Sequence, residues 1–309
     1  MEVQFSASNI KSRMTQTKTE RIFLIINEFA GHKEAAKAVG QVIPFLRRNG
    51  KSVEYSFTKY PGHATELALQ ASTDGFDLVV AVGGDGTVNE TALGLVGTDT
   101  PMGIIPMGSG NGLARELGIP MSMKKSAKTL IEGNTLHLDV CMLNNQRFLC
   151  TSGIGFDALI ADKMSKASSR GFMKYVQLVV QESITFKPVN VKLKIDGELI
   201  EKPVFLITFA NASQFGNNAF IAPGASMTDG LIDIVIVRKF AKIWMPFFAI
   251  ALFSKLIPRL PFVDCYKAKA AELEMANTPY FHFDGEPGQL AVPAKISIDK
   301  QKIWVRSRR

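Results

Sequence analysis

The sequence predicts an α/β fold with a second, mainly β part: an N-terminal doubly wound parallel α/β domain and a C-terminal antiparallel β-sandwich. In the first half, apolar segments alternate with helical patterns, as in parallel sheets covered by helices on both faces. After about Thr135, short alternating strands separated by turns dominate, which is typical of an antiparallel sandwich or barrel. The 309 residues are enough for two hydrophobic cores. We therefore expect two abutting domains with a cleft between them.

The first half begins with an apolar run, RIFLIIN at 21–27, that predicts a buried strand. Each later strand is followed by a helix, the order that a doubly wound sheet requires. The predicted elements are strands 21–27, 52–58, 77–82 and 102–106, with helices 33–48, 62–72, 87–96 and a last one through Leu117.

The second half is predicted from period-two alternation and turn residues. The predicted strands are 136–143, 146–151, 189–195, 204–211, 231–237, 264–275, 280–283, 295–298 and 302–306, with helices near 157–166, 172–183 and 242–256. The expected division is a polar, disordered lead-in at 1–20, an α/β domain at 21–134 and a β-rich domain at 135–309. The last strand is free to return to the first domain.

Composition excludes several classes of protein. The three cysteines, Cys141, Cys150 and Cys265, show no paired spacing, which favours reduced thiols in the cytoplasm. The four histidines form no ligand cluster in the sequence, so a zinc site is not expected. No apolar run reaches the roughly 18 residues of a membrane span, and no signal peptide is expected. The net charge of +8 suits nucleic acid, an anionic membrane or a phosphate-rich ligand, and it also suits simple solubility.

Two glycine-rich loops each follow a predicted strand and precede a helix. The first is Gly83-Gly-Asp-Gly-Thr87 and the second is Gly108-Ser-Gly-Asn111. Backbone amides and a helix N-terminus at this edge of the sheet could bind phosphate, and Thr87 and Ser109 add hydroxyl donors. Two ordinary turns with capping Thr and Ser would give the same pattern. Asp85 among glycines favours the phosphate interpretation, because a buried aspartate needs a bonding partner.

The two loops together resemble the catalytic domain of the diacylglycerol kinase and sphingosine kinase superfamily, and especially its soluble bacterial lipid kinases. The first motif also occurs in NAD kinases and phosphofructokinases, whereas Ile105-Pro-Met-Gly-Ser-Gly-Asn-Gly-Leu-Ala-Arg115 is much more specific. The resemblance implies an NAD-kinase-like nucleotide-binding domain at 21–134, a lipid-binding domain at 135–309 and an active site in the cleft between them. It implies ATP as phosphate donor with Mg²⁺.

The resemblance assigns the ATP-binding residues position by position. They are Asn27, Gly31, Thr58, Gly83, Gly84, Asp85, Gly86, Thr87, Val88, Asn89, Glu90, Gly108, Ser109, Gly110 and Asn111. The chain departs from the family at Asn27-Glu28, where Asn-Pro is usual, and at Asn111-Gly112, where many bacterial members have Asn-Asp. The Gly-Ser-Gly-Asn form is closer to sphingosine kinases, which leaves the lipid open.

The tripeptide Asp-Gly-Glu occurs twice. At 196–198 it lies between alternating residues and predicts a plain hairpin without chemistry. At 284–286 it follows an aromatic strand, and a hairpin turn and a general base are equally compatible with the residues. The resemblance implies that Glu286 is the proton acceptor and that Asp85 either holds the Mg²⁺ of ATP or orients the acceptor hydroxyl.

A second ion is implied by the segment Asp229-Gly-Leu231, which resembles a structural Mg²⁺ site of the bacterial members. The implied ligands are Asp229 and the carbonyls of Leu231 and Ser226, with Asp139 linking this site to the active centre. Without the resemblance, an ordinary turn before a strand would be preferred.

Basic and apolar residues mix at 153–175, including Lys163, Lys166, Arg170 and Lys174, and a long apolar run lies at 243–253. Such segments could face anionic lipid headgroups or line an acyl pocket, although each residue alone fits an ordinary solvated helix. We expect a cytoplasmic, ATP-dependent kinase acting on diacylglycerol or a similar lipid during transient contact with the inner membrane face. A homodimer is allowed.

Two other functions stay open: a sphingoid-base or ceramide kinase, and a non-catalytic nucleotide or lipid sensor on the same fold. Nucleic-acid binding is the weakest option, because no recognition motif appears.

Overall fold

A computed structural model describes residues 19–27, 34–167, 171–275, 280–289 and 291–308. Most of the predicted lead-in, together with Glu28, Gly31 and Arg170, lies outside the described residues. The helices are α1 (Glu34–Arg48), α2 (His63–Thr73), α3 (Asp85–Leu95), α4 (Gly112–Glu116), α5 (Met123–Glu132), α6 (Phe156–Ser165), α7 (Phe172–Thr185) and α8 (Met245–Phe253).

The strands alternate with these helices in the first half and dominate the second. They are β1 (Arg21–Ile26), β2 (Ser52–Phe57), β3 (Leu78–Gly83), β4 (Met102–Pro106), β5 (Asn134–Leu138), β6 (Cys141–Leu143), β7 (Gln146–Phe148), β8 (Thr151–Gly155), β9 (Val189–Ile195), β10 (Glu198–Ala210), β11 (Ile232–Arg238), β12 (Val263–Ala268), β13 (Ala270–Glu274), β14 (Phe281–Phe283), β15 (Glu286–Gly288), β16 (Ala294–Ile298) and β17 (Ile303–Ser307).

The first sheet has the strand order β2-β1-β3-β4-β17-β5. Strands β1 to β4 pair in parallel, β17 is parallel to β4, and β5 runs antiparallel to β17. β3 is buried along its whole length, as expected for the centre of a sheet covered on both faces.

Separate hydrophobic cores cover the two faces of this sheet. On one face, Val79, Ala81 and Ile104 pack with residues of α2 and α3. On the other face, Val80 and Val82 pack with residues of α1 and α5. Alternate residues of a strand point to opposite faces, so the split between odd and even positions confirms the predicted doubly wound α/β domain.

The second sheet has eleven strands, and all of its pairings are antiparallel. Buried residues of β6, β9, β10, β11, β13, β14 and β16 share one core cluster. Since strands far apart in the ladder contact the same core, the sheet folds around it, in keeping with the predicted sandwich.

Three strands were predicted too long, and each is split between partners. The predicted strand 146–151 is divided into β7, which pairs with β6, and the start of β8, which pairs with β10 and β14. The predicted strand 136–143 is divided into β5 in the first sheet and β6 in the second. At the break, the backbone N–H of Asp139 donates to Met227 O at 2.7 Å, so the chain leaves the first sheet here. The predicted strand 264–275 is divided at Lys269, because β12 pairs with β11 whereas β13 pairs with β9 and β16.

Among the described residues, no helix combines the length and the apolar character that crossing a bilayer requires.

Candidate active site

The two glycine loops lie side by side because β3 and β4 are parallel neighbours that end at the same edge. Met107 N donates to Gly83 O at 2.7 Å, directly after the last paired residues. A Cβ on Gly108 would lie 2.8 Å from the Cα of Gly84. Backbone atoms cannot retreat as a flexible side chain can, so glycine at this crossing is required by the close approach of the loops.

Asp85 joins the two loops through its carboxylate. Its Oδ2 accepts a hydrogen bond from Asn111 N at 2.8 Å, and its Oδ1 accepts one from Gly112 N at 2.7 Å. A Cβ on Gly110 would lie 2.7 Å from Oδ2, so the second loop needs a glycine here to reach the carboxylate. Charged acceptors make the stronger hydrogen bonds.

The expectation that Asp85 is buried was wrong. The residue is exposed, although both of its oxygens are bonded to the second loop. It is the first residue of α3 and follows the carboxyl end of β3 at the edge of the sheet. Its carboxylate therefore holds the loops together and remains within reach of a ligand.

Asn111 shapes the second loop from inside. Its backbone is left-handed, with φ of 50°, and its side chain is buried. The side-chain oxygen accepts from Gly108 N at 3.0 Å and the side-chain nitrogen donates to Gly108 O at 2.7 Å. An asparagine tolerates this conformation and closes the loop with its own amide.

The predicted ATP residues divide by what they contact. A Cβ added to Gly86 would point into open space within the described part of the chain, at the N-terminal end of α3. Ser109 is exposed and Thr58 is half-buried at the end of β2. These residues, with Asp85, remain accessible to a ligand.

Other residues of the predicted set are used by the fold. Val88 packs in the core, and Thr87 is buried, with Asn27 Nδ2 at 3.2 Å from its hydroxyl. Glu90 Oε2 accepts from Ala64 N at 3.2 Å and its backbone carbonyl accepts from Thr65 Oγ1 at 2.9 Å, so it holds the start of α2. Asn89 is half-buried on α3.

A loop of the second half of the chain, residues 211–222, closes over the glycine loops. Asn217 N donates to Gly110 O at 3.4 Å, and a Cβ on Gly216 would lie 3.6 Å from backbone atoms of Gly110. Ser213 donates its backbone N–H and its hydroxyl to Glu116 Oε2, at 3.2 and 2.5 Å. The two halves therefore meet at the edge where the loops lie.

The second Asp-Gly-Glu forms the turn between β14 and β15, with positive φ at Asp284 and Gly285. The Asp284 carboxylate accepts three backbone hydrogen bonds, from Leu149, Cys150 and Thr151, at 2.7 to 3.0 Å. Burial raises the pKa of Asp284, although these three N–H donors act to lower it. The turn is thus fixed by its aspartate, and Glu286 is exposed on β15.

The first Asp-Gly-Glu has the same backbone shape, with positive φ at Asp196 and Gly197, but it joins β9 and β10 and is exposed. The same tripeptide therefore forms a plain hairpin in one place and a turn tied to a neighbouring loop in the other.

The backbone of Cys150 connects the two sides of the site. Its N–H donates to Asp284 Oδ1 at 2.7 Å, and its carbonyl accepts from Asn211 N and Ala212 N, both at 2.9 Å. These two residues begin the 211–222 loop, which contacts Gly110 of the second glycine loop. Desolvation raises the pKa of the Cys150 thiol well above the usual range, and the negative charges of Asp284 and Asp85 raise it further.

A buried histidine–aspartate pair beside this turn was missed at the level of sequence. His282 Nε2 lies 3.2 Å from Asp157 Oδ2, and Thr208 Oγ1 donates to the same oxygen at 3.1 Å. Gly285 N lies 3.4 Å from His282 Nδ1, which makes Nδ1 the acceptor and Nε2 the donor. The pair therefore connects α6 to the Asp-Gly-Glu turn.

One sequence signal could have revealed this pair. Gly153 lies on β8, where a Cβ would lie 2.5 Å from Asp157 Oδ2 and 3.1 Å from His282 Nε2. A glycine inside a strand often marks a close approach, and here the approaching group is the aspartate four residues further along.

The residues expected to hold a structural Mg²⁺ contact lysines. Buried Asp139 accepts from Gly230 N at 2.8 Å and pairs with Lys302 Nζ at 2.6 Å. Asp229 accepts from Leu231 N at 3.1 Å and lies 3.3 Å from Lys267 Nζ. Ser226 Oγ lies 3.3 Å from Thr228 Oγ1.

Ammonium groups thus balance these two carboxylates. In the described part of the chain, no three His, Cys, Asp or Glu side chains cluster together. The implied site at Asp229 needs only one carboxylate with backbone carbonyls, so it stays a prediction, and Lys267 is the cation that now lies beside that carboxylate. The Mg²⁺ that accompanies a nucleotide needs less from the protein, since phosphates supply most of its oxygens, and exposed Asp85 fits that role.

A cavity of about 270 Å³ lies between α1 and α5, lined by Gly40, Phe45, Met123 and Lys124 among others. Its lining includes no residue of the glycine loops or of the Asp-Gly-Glu turn. It lies apart from the candidate site.

Comparison with known proteins identifies both halves of the chain. The family model for the diacylglycerol kinase catalytic domain matches residues 21–143. The model for the YegS C-terminal NAD kinase beta sandwich-like domain matches residues 151–305.

Individual relatives and solved structures agree with these family models. A diacylglycerol kinase of Bacillus subtilis is 32% identical over 225 residues, which cover 71% of this chain and 74% of the relative. One of Mycobacterium tuberculosis is 29% identical over 292 residues, 90% of this chain and 94% of the relative. The crystal structure of a diacylglycerol kinase from Bacillus anthracis has the same fold, with a TM-score of 0.76 at 24% identity, covering 94% of this chain and 98% of that one.

Replacing Asp157 with alanine leaves the buried donors of His282 and Thr208 without their acceptor. We expect unfolding in urea to show that the free energy of unfolding falls by about 2–6 kcal/mol, from about 1–3 kcal/mol for each of the two unpaired buried groups. Asp162→Ala on the same helix is the control: its partner Lys166 is largely exposed, and a loss below about 1 kcal/mol is expected. Equal losses in the two variants would contradict a special role for the pair.

Replacing Lys302 with alanine leaves the buried Asp139 without its cation. We expect a loss of about 2 kcal/mol or more, reduced from the full cost of breaking a buried pair because Lys302 is partly exposed. A chelator should leave the melting temperature of the wild-type protein unchanged, since lysines balance both carboxylates. A fall in melting temperature on chelation, reversed by Mg²⁺, would instead support a structural ion at Asp229.

Proposed function

Since the chain belongs to the diacylglycerol kinase family and is a lipid kinase, we propose that it transfers the γ-phosphate of ATP to a primary hydroxyl of diacylglycerol or a similar lipid. The observation that carries this proposal is the position of Asp85. Its carboxylate joins the two glycine loops and stays exposed. The 211–222 loop contacts Gly110 beside it, and the same loop is bonded at its start to Cys150, whose N–H donates to Asp284 of the Asp-Gly-Glu turn. A nucleotide site and a candidate base therefore share one region.

The nucleotide is proposed to lie along the edge formed by β3 and β4. At Gly86 there is open space beside the backbone at the start of α3. This helix has eleven residues, and the positive N-terminal end of a helix favours phosphate. Ser109 and Thr58 are accessible beside it. Mg²⁺ bound with ATP would neutralise phosphate charge, and Asp85 is the residue proposed to hold it.

The acceptor hydroxyl is proposed to lie between this edge and Glu286. Phosphoryl transfer depends mainly on positioning and charge neutralisation, so a modest general base suffices. Asp284 fixes the turn by accepting hydrogen bonds from three backbone N–H groups. In addition, the N–H of Gly285 in the turn donates to His282 Nδ1. The exposed Glu286 is proposed to accept the proton of the lipid hydroxyl.

The reaction is proposed to take place in the cytoplasm, with transient contact to an anionic membrane surface. The free cysteines Cys141, Cys150 and Cys265 suit a reducing compartment, and ATP is available there. The membrane supplies the water-insoluble acceptor.

A sphingoid base or ceramide remains an alternative acceptor. The Gly108–Asn111 sequence favoured it, but the side chain of Asn111 is used to close its own loop. That residue therefore does not select between lipids through direct contact.

The variant Gly86→Ala tests whether the first glycine loop binds a nucleotide or is only an ordinary turn. No described protein atom obstructs the added methyl group, and the site is helical, so stability should be unchanged or higher by up to about 1 kcal/mol. If phosphate approaches this backbone, the Kd for MgATP should rise about tenfold or more. Gly40→Ala in α1 is the control, because it is also helical and unobstructed but distant from the loops. An unchanged Kd in Gly86→Ala would favour ordinary turns.

Phosphate transfer itself is tested with radiolabelled ATP and Mg²⁺ on diacylglycerol, monoacylglycerol, ceramide and sphingoid base in anionic mixed micelles. Glu286→Gln should lower kcat by about 10²–10⁴-fold without changing stability. Asp85→Asn should abolish transfer and also lower stability, because an amide nitrogen would face a backbone N–H.

Glu198→Gln, in the other Asp-Gly-Glu, is the matched control and should keep full activity. Nucleotide binding without transfer to any of the four lipids would instead favour the sensor function.

A further inference from the structure

Helix α8 has an unusual surface. Its sequence MPFFAIALF contains no charged residue, yet only Phe248 and Ala251 are buried. A helix that is apolar all round is normally enclosed by protein or lipid. Its exposed large apolar residues, together with those of the turns that flank it, are Ile243, Trp244, Phe247, Ile250, Phe253 and Leu256.

Helix α7 carries a second exposed apolar stripe. Met173, Val176, Val180 and Ile184 are spaced by three or four residues and so lie along one side of the helix. The opposite side packs inward through Leu178 and Val179. Ile184 and Ile243 are 63% and 77% exposed, so these side chains face solvent and are not the partly buried edge of the core.

The two stripes belong to one layer, which we name the α7–α8 face. Leu178 of α7 and Phe248 of α8 are members of the same buried cluster. The Lys242 ammonium donates to the carbonyl of Ile184, which ties the end of α7 to the start of the α8 segment. Ten exposed large apolar side chains therefore lie on two segments that are linked to one another, whereas single exposed apolar residues scattered over a surface are ordinary.

Positively charged residues flank α8 on both sides in the sequence. From Lys239 to Val263 the chain contains Lys239, Lys242, Lys255 and Arg259 and no acidic residue. The acids near α7 are neutralised locally, since Asp162 pairs with Lys166 and Glu182 pairs with Lys163. A second copy of this face would bring like charges together, whereas anionic headgroups would complement them.

The face is connected directly to the candidate active site. Phe220 N donates to Leu252 O of α8 at 2.7 Å, and Phe215 packs against the same cluster as α8. Between them, Gly216 and Asn217 contact Gly110 of the second glycine loop. On the other side, α7 packs on α6, and α6 packs on β14 and β15, which carry the Asp-Gly-Glu turn.

We propose that the α7–α8 face inserts its apolar side chains into an anionic membrane surface and so brings the active site to its lipid substrate. This inference rests on the proposed function, because only an acceptor that resides in the membrane requires such contact. The protein would lie on the membrane, with α8 in the interface and the basic residues at the headgroups.

The test is cosedimentation of the full chain with vesicles of phosphatidylcholine, alone or mixed with phosphatidylglycerol. Wild-type protein should bind the mixed vesicles. Phe247→Gln combined with Ile250→Gln should weaken partitioning by about tenfold or more. Leu69→Gln combined with Leu199→Gln is the control, since these two leucines are equally exposed elsewhere, on α2 and β10.

Charge is tested separately with Lys239→Gln and Arg259→Gln. Each should weaken binding to mixed vesicles by about fivefold and leave binding to neutral vesicles unchanged. If vesicle binding is unchanged in all of these variants, the proposal is overturned. It would also be overturned if the Phe247 and Ile250 variant changed only a dimer to a monomer, with vesicle binding intact.

A short-chain diacylglycerol below its aggregation limit separates this proposal from the proposed function. Phosphorylation of this dissolved lipid should be equal in the wild type and in all α7–α8 variants. If the wild type fails to phosphorylate any lipid but still binds vesicles through this face, the proposed function fails and the docking surface stands. If it phosphorylates dissolved lipid but binds no vesicles, the docking surface fails alone.

Discussion

The carboxylate of Asp85 is the interaction on which the site depends. Two parallel strands end side by side and leave two loops whose backbone amides would otherwise be unpaired. The Asp85 carboxylate accepts hydrogen bonds from two of these amides in the second loop. The glycines around it allow the backbones of the two loops to approach each other closely enough for these bonds. Each carboxylate oxygen accepts one hydrogen bond and keeps further accepting capacity, and the residue is exposed. A structural bond and an accessible charge thus coexist in one side chain.

In the second half of the chain, another carboxylate fixes a loop of the candidate site. Asp284 accepts hydrogen bonds from the backbone amides of residues 149–151 and so fixes the turn that carries Glu286. Its neighbour His282 bonds to Asp157 of α6, and α6 supports α7. The candidate site and the α7–α8 face are therefore built on the same packed layers. Movement of α6 relative to β14 would displace both together.

Charge balance differs between the buried and the outer parts of the molecule. Asp139 is enclosed and pairs with Lys302, because an unpaired buried carboxylate would be costly. The outer segment from Lys239 to Arg259 has cations without matching acids. Exposed cations that no acid of the same segment neutralises cost little in water and attract anionic surfaces, which is consistent with a face that meets headgroups.

The sequence alone determined the alternation of strands and helices, the positions of both glycine loops and the family, because these depend on local patterns of apolar residues and glycine. The tertiary structure decided what depends on neighbours distant in the chain. The two Asp-Gly-Glu turns have the same local shape, and only the residues packed around Asp284 distinguish them. The split of the strand predicted at 136–143 and the exposure of Asp85 depend on neighbours that no local pattern encodes. The same is true of the lysines beside Asp139 and Asp229. Long-range contacts set burial and charge pairing, whereas short-range periodicity sets secondary structure.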